Sequence, residues 1–219
     1  MNALRAEAVI LDIDGTLIDS NFQHTVAWQR AFRDCGDEVA AWRIHRCVGM
    51  GGDQIVRTLL GDAAEEEKGE EIREAEKARY EVLMPEVRPF HGAHDVIAGL
   101  KDRGFTVVLA SSAKEDEVEH YIELLEAGDL HDGYTSSADV EATKPEPDLI
   151  EAAIEKAGGA EAVMVGDSVW DIEAAQRAGL DTVAVLCGGF GKAELEGAGA
   201  EIVVETITDV PDQLSSLAS

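Results

Sequence analysis

Five short apolar runs, rich in β-branched residues, recur along the chain: Ala8–Leu11, Thr106–Ala110, Ala162–Val165, Thr182–Leu186 and Glu201–Val204. Each has the length of one strand. Several lack any polar residue, as strands covered on both faces do. Helical patterns separate most of them: Ala93–Arg103, Lys114–Ala127, Pro147–Ala157 and Val169–Ala178. Three run into Gly104, Gly158 and Gly179, and the fourth stops before Gly128, glycine being a common helix terminator. Strand alternating with helix requires crossover connections. The pattern predicts an α/β fold with a doubly wound, Rossmann-like parallel sheet.

One segment breaks the alternation. From Leu17 to Pro85 no run reads as a strand, and the patterning is helical throughout. Val26, Ala27, Arg30 and Ala31 recur at helical spacing around Trp28, and 61–81 is dense in Glu, Arg and Lys. The latter reads as a solvated helix supported by i,i+4 charge pairs. The chain therefore leaves the sheet after its first strand, builds an all-helical domain over 18–85, and returns through a hinge at Pro85–Pro89. Residues 1–17 and 86–219 form the sheet domain. The stretch after Pro211 is small and polar and reads as a short helix or tail.

Charge narrows the partners. Asp and Glu number 45 against 18 Lys and Arg, a formal net charge of −27. Such a chain repels nucleic acid and anionic membrane as a whole body. An anionic ligand needs a local positive site that overcomes this field. The acidity fits either a high-salt surface or an ordinary acidic enzyme. Cys35, Cys47 and Cys187 are odd in number and widely spaced, which suits free thiols in a reducing compartment. No signal-peptide pattern opens the sequence, and no apolar run approaches the ~20 residues of a membrane span. The expectation is a cytoplasmic protein, monomeric or homodimeric.

The strand ends carry the chemistry. The first runs into Asp12-Ile13-Asp14-Gly15-Thr16-Leu17-Ile18-Asp19-Ser20. Two carboxylates at i and i+2 then stand at the sheet's C-terminal edge, where open α/β folds bind ligands. Gly15 permits a tight turn whose amides can face an anion. The second run ends at Ser111-Ser112, hydroxyls suited to a phosphate oxygen or to capping a helix. Lys144 lies between Thr143 and Pro145, with Pro147 stiffening the same loop. A later run ends at Gly166-Asp167-Ser168-Val169-Trp170-Asp171, placing two more carboxylates at a strand end and helix start. A parallel sheet brings all of these ends to one edge.

This constellation resembles the haloacid dehalogenase-like superfamily, with all four of its motifs in order and a helical insert resembling its α-helical cap. The resemblance implies a Mg²⁺-dependent phosphatase acting on a small phosphorylated metabolite, of the phosphoglycolate or sugar-phosphate class. It implies Asp12 as nucleophile, forming an aspartyl-phosphate, and Asp14 as acid and then base. Mg²⁺ would be held by Asp12, the Asp14 carbonyl, Asp167 and, directly or at one remove, Asp171. Gly15, Ser111, Ser112 and Lys144 would bind the phosphoryl group. The chemistry asks for these types: a carboxylate attacking a phosphate dianion needs a metal and an ammonium to offset like-charge repulsion.

Relatives within the superfamily divide on a few residues. Haloacid dehalogenases lack the second acid of the pair, so Asp14 argues against dehalogenation. Phosphonatases use a cap lysine, and no lysine lies between Leu17 and Leu60. β-Phosphoglucomutases carry a cap histidine where His24 falls, and a cap arginine near the position of Gly52. Arg46 or Arg57 could stand in for that arginine; without one, a phosphatase is favoured over a mutase. A non-catalytic phospho-ligand-binding protein is the alternative of another class. The glycine-rich VGMGG segment with Gly51 and Gly52 follows no strand, so it is no dinucleotide loop. It resembles the cap's substrate-specificity loop, flanked by Arg43, His45, Arg46, Gln54 and Arg57. His91 and His94 read as structural, and Trp170 as plain packing.

Overall fold

The computed structural model describes residues 3–216. In chain order the strands are β1 (Leu4–Ala6), β2 (Ala8–Asp12), β3 (Ile18–Asp19), β4 (Arg88–Pro89), β5 (Thr106–Ala110), β6 (Gly133–Thr135), β7 (Ala162–Gly166), β8 (Asp181–Val185), β9 (Ile202–Val204) and β10 (Leu214–Ser216). The α-helices are α1 (Asn21–Asp34), α2 (Ala41–His45), α3 (Gly52–Leu60), α4 (Asp62–Leu83), α5 (Ala93–Asp102), α6 (Glu115–Leu124), α7 (Asp148–Lys156), α8 (Val169–Arg177) and α9 (Lys192–Ala198).

Six strands form one sheet in the order β6-β5-β2-β7-β8-β9, every pair parallel. The fully apolar runs are explained by double-sided cover. Val9, Leu11, Val107, Leu109, Val163 and Val165 enter one core cluster, with Val96, Ile97 and Val118 from the helices. Ile10, Val108, Ala110 and Met164 enter another, with Leu149, Ile150, Ala153, Ala174 and Ala175. Alternate side chains thus leave opposite faces of each strand, and both faces are buried. The anticipated doubly wound parallel sheet is the observed fold.

Four features depart from the sequence reading. Ile18–Asp19 is a strand, paired antiparallel with Arg88–Pro89, inside the segment read as strandless and at the expected hinge. Two residues carry no periodicity, so the pairing was invisible. Leu214–Ser216 pairs in parallel with Leu4–Ala6, where a helix or tail was expected; residues 217–219 lie outside the described residues. β6 and α9 were not anticipated, both being short and poor in apolar residues. The helix before Gly128 ends at Leu124, and it is Glu126, at φ 52°, that takes the left-handed conformation beyond it.

The helical insert between β3 and β4 has its own core of Trp28, Phe32, Ile44, Met50, Ile55, Val56 and Ile72. Trp170 of α8 packs against that cluster, and its indole N–H donates to the Arg46 carbonyl at 3.0 Å. It ties the sheet side to the insert, beyond the plain packing expected. His94 is structural as expected, with Nδ1 3.0 Å from the Leu125 carbonyl. All three cysteines are free thiols. Among the described residues no helix is long and apolar enough to cross a membrane.

Candidate active site

Register sets the geometry. Asp12 stands opposite Ala110, so Ser111 follows on the neighbouring strand, and Leu11 pairs with Val165, just before Asp167. After Asp12 the chain makes a tight turn in which the Ile13 carbonyl accepts from the N–H groups of Leu17 at 2.9 Å and Ile18 at 3.0 Å. Gly15 sits at φ 77°, and a Cβ there would meet Asp167 Oδ2 at 2.6 Å. Only glycine fits. Its N–H donates to the Ile18 carbonyl at 2.8 Å, so Gly15 shapes the turn and does not offer its amide to an anion as expected.

Around Asp12 the site is buried and crowded with charge. Lys144 is 1% exposed and its ammonium donates to Asp12 and, at 2.7 Å, to Asp171 Oδ1. The other Asp171 oxygen accepts the Ser168 hydroxyl at 2.6 Å and its N–H at 3.0 Å, in the capping box that starts α8. Both Asp171 oxygens are thereby engaged, which makes Asp171 an anchor for Lys144. Asn21 Nδ2 donates to Asp167 Oδ2 at 2.9 Å, and Thr16 Oγ1 lies 3.0 Å from Asp12 and 3.2 Å from Asp167.

Three buried carboxylates face one ammonium. Burial pushes the Asp12 carboxyl up to about 8, with the Asp171 charge adding and Lys144 opposing. Burial, Asp171 and Asp12 likewise push Asp167 well above its ordinary range. Oxygens of Asp12, Asp167 and Asp171 lie within 4.8 Å of one another. Hard oxygen donors with uncompensated negative charge suit a divalent cation such as Mg²⁺.

Asp14 meets a different environment. It accepts the Ser20 hydroxyl at 2.6 Å and the Ser111 hydroxyl at 3.0 Å. His24 Nε2 lies 3.4 Å from Asp14 and 3.3 Å from Glu117, and its Nδ1 lies 3.2 Å from Glu76. Its ring stacks on Tyr80 with centroids 3.7 Å apart. Burial acts to raise the Asp14 carboxyl, but His24 and the two hydroxyls overcome it and hold the group below its usual value. Burial acts to lower His24; Tyr80 and the three carboxylates override it and hold the imidazole well above its usual range. Two carboxylates two residues apart are thus driven in opposite directions, Asp12 toward its protonated form and Asp14 toward its ionised form.

A cavity of about 540 Å³ opens above these groups, with Asp12, Asp14, Ser112 and Lys144 among its lining and Trp28, Met50 and Tyr80 on the insert side. The Ser112 hydroxyl is buried and has no protein partner. Of the insert residues expected here, His24 and Gly52 line the cavity. Gly51 instead packs against Thr143. Arg46 pairs with Glu194 and stacks over Phe190, and Arg57 pairs with Asp62 at 3.0 Å, so neither reaches the cavity. His45 lies 3.1 Å from the Gly188 carbonyl, away from it. Arg73 was missed. It lines the cavity from the helix read as a solvated face, held by Glu65 at 2.7 Å and Glu70 at 3.1 Å. Asn21, Glu76, Tyr80 and Glu117 were also missed. Tyr80, one of few large apolar residues on α4, was the available signal.

The haloacid dehalogenase-like hydrolase family model matches residues 9–185, spanning every one of these strand ends. The chain belongs to that family. This haloacid dehalogenase-like hydrolase is similar to a hydrolase from Pseudomonas syringae of known structure, at 32% identity and a TM-score of 0.88, over 94% of this chain and 96% of the other. It is 26% identical to the pyrophosphatase PpaX of Bacillus cereus, over 98% of this chain and 99% of the relative. It is 27% identical to the phosphoglycolate phosphatase of Aquifex aeolicus, over 82% of this chain and 84% of the relative.

Proposed function

We propose that this hydrolase is a Mg²⁺-dependent phosphatase of a small phosphomonoester, of the phosphoglycolate or sugar-phosphate class, with residues 18–85 acting as a cap. One observation carries the reading: a buried nucleophile candidate, Asp12, bonded to Lys144 and two residues from a carboxylate with its own proton partner, His24. Asp12 attacks phosphorus and becomes the aspartyl-phosphate. Asp14, ionised in the free site, passes a proton from His24 to the departing ester oxygen and later takes one from the attacking water. His24, 3.4 Å from Asp14, holds a proton beside it. Lys144 and the free Ser112 hydroxyl bind phosphoryl oxygens, while Ser111 orients Asp14. Splitting the displacement lets one carboxylate attack while its neighbour moves the proton. Asp12, Asp167 and the Asp14 carbonyl would hold Mg²⁺, which when bound offsets charge on the transferring group.

The arginines favour a phosphatase over a mutase. A mutase must also grip a second phosphate, commonly with an arginine. Arg73 is tied to Glu65 and Glu70, and Arg46 and Arg57 lie elsewhere. Of the lysines lining the cavity beside Lys144, Lys77 is tied to Asp116 at 2.6 Å, and Lys114 has no ion pair with a carboxylate among the described residues. The test is phosphate release with Mg²⁺ across 2-phosphoglycolate, pyrophosphate and several sugar phosphates, including β-glucose 1-phosphate. Free phosphate from an ester without glucose 6-phosphate is expected. Formation of glucose 6-phosphate would make the enzyme a mutase. Loss of activity in excess chelator is expected, and full activity there would sink the metal assignment.

A further inference from the structure

The glycine-rich segment of the cap does not simply overhang the cavity; it is docked onto the loop that carries Lys144 and onto the start of α8, which carries Asp171. Asp53, in the first turn of α3, accepts the Thr143 hydroxyl on Oδ1, and its Oδ2 lies 3.5 Å from the Thr143 N–H. Gln54 donates to the same Oδ2 at 2.8 Å and fixes the carboxylate. Thr143 is 5% exposed and immediately precedes Lys144. Gly51 lies so close beneath it that any Cβ would run into the Thr143 side chain. On the other side, a Cβ on Gly49 would meet Ser168 Oγ at 2.6 Å, and Ser168 caps the helix that carries Asp171. Trp170 adds its bond to the Arg46 carbonyl.

We infer that Asp53 is a positioning residue: its bond to Thr143 couples closure of the cap to the placement of the Lys144 ammonium. This rests on the phosphatase reading for its catalytic consequence only. Thr143 and Lys144 are adjacent, so fixing the Thr143 backbone and hydroxyl restricts where the lysine stem begins. Lys144 must hold both Asp12 and Asp171, and a shift of its Cα moves the ammonium off one of them. An approach this close needs glycine at 49 and 51, so both glycines serve the docking. A carboxylate accepting from a hydroxyl is the stronger, charged kind of hydrogen bond. Opening the cap breaks it and frees the Lys144 loop; closing it with substrate inside restores the arrangement.

The test is a double-mutant cycle with Asp53→Ala and Thr143→Val, read by hydrolysis of 4-nitrophenyl phosphate and by amide hydrogen exchange over residues 47–54. Each single variant is expected to lower kcat about ten-fold or more, with the double variant no lower than the worse single, because one bond is removed in all three. Thr143→Ser, which keeps the hydroxyl, retains kcat. Exchange over 47–54 rises in the Ala and Val variants and stays low in the Ser variant. Additive losses in the double variant, or unchanged kcat with only a lowered melting temperature, would overturn the coupling. The exchange arm needs no turnover. An inactive wild type with the same exchange pattern marks failure of the phosphatase reading, whereas equal exchange in all variants marks failure of the Asp53 bond.

Discussion

The Lys144 ammonium donates to Asp171 Oδ1 at 2.7 Å while it also holds Asp12, so one cation is shared by two carboxylates from different strand ends. Asp171 in turn is fixed by Ser168. Replacing Lys144 with Met leaves Asp12, Asp167 and Asp171 buried without an ammonium. Breaking such a pair costs about 3–5 kcal/mol. The variant is expected to lose turnover by roughly a thousand-fold or more. Its melting temperature without metal should fall and recover in part with Mg²⁺. Retained turnover would show that Lys144 is a structural counter-charge alone.

Metal binding and pH are linked at the same cluster. Asp12 rises to about 8 in the fold, and Asp167 rises well above its ordinary range, both led by burial. The metal-free fold therefore holds protons that the unfolded chain releases near pH 4. Their stabilising contribution is fully present below that pH and is lost as pH rises through about 8. A divalent cation competes with those protons, so its effect grows with pH over the same window. The melting-temperature gain from Mg²⁺ should be larger at about pH 8.5 than at about pH 5. Equal gains at both would contradict the assignment of the cluster as a cation site.

His24 lies 3.4 Å from Asp14 and is the principal group holding that carboxyl below its ordinary value against burial. Replacing His24 with Gln removes this influence, and Asp14 rises. The acidic limb of the pH–rate profile should then move to higher pH, with kcat near neutrality down by about ten- to a hundred-fold. A profile that merely scales down, with its limb in place, would mean that His24 does not act through Asp14.

The arginines of the helical insert separate by position. Arg46 and Arg57 are engaged outside the cavity, by Glu194 and Asp62, whereas Arg73 lines it. Arg46→Ala and Arg57→Ala should leave kcat/KM within about two-fold, as exposed pairs contribute little. Arg73→Ala should raise KM, because it removes a cation from the cavity and leaves Glu70 uncompensated in its lining. The reverse ranking, measured as kcat/KM on the preferred ester, would relocate the specificity surface to the Arg46 side.

Much of this site is legible in the sequence, because buried parallel strands advertise themselves. Ala8–Leu11 and Ala162–Val165 are apolar since both faces are covered, and their ends fix where Asp12 and Asp167 stand. The DxDGT segment, Ser111, Lys144 and Asp171 follow from those ends. What escaped lies where meaning depends on packing across long sequence separations. Arg73 sits in a charged helix whose periodicity is that of a solvated face, and only its packing against α3 turns it to the cavity. Thr143 and Asp53 are 90 residues apart and neither forms a motif. The sequence suggests Gly15 as a phosphate ligand, but the turn that needs its positive φ also uses its N–H. Ile18–Asp19 is too short to show a period of two.

The nucleophile is the central claim, and it is tested by trapping. The enzyme is mixed with Mg²⁺ and its preferred ester, quenched in acid within the first turnovers, and digested for mass spectrometry. A phosphoryl group on the peptide containing Asp12 is expected, absent in Asp12→Asn, which folds normally and does not turn over. Robust turnover by Asp12→Asn, with no phosphoryl group on that peptide in the wild type, would contradict the aspartyl-phosphate route and leave direct attack by water in its place.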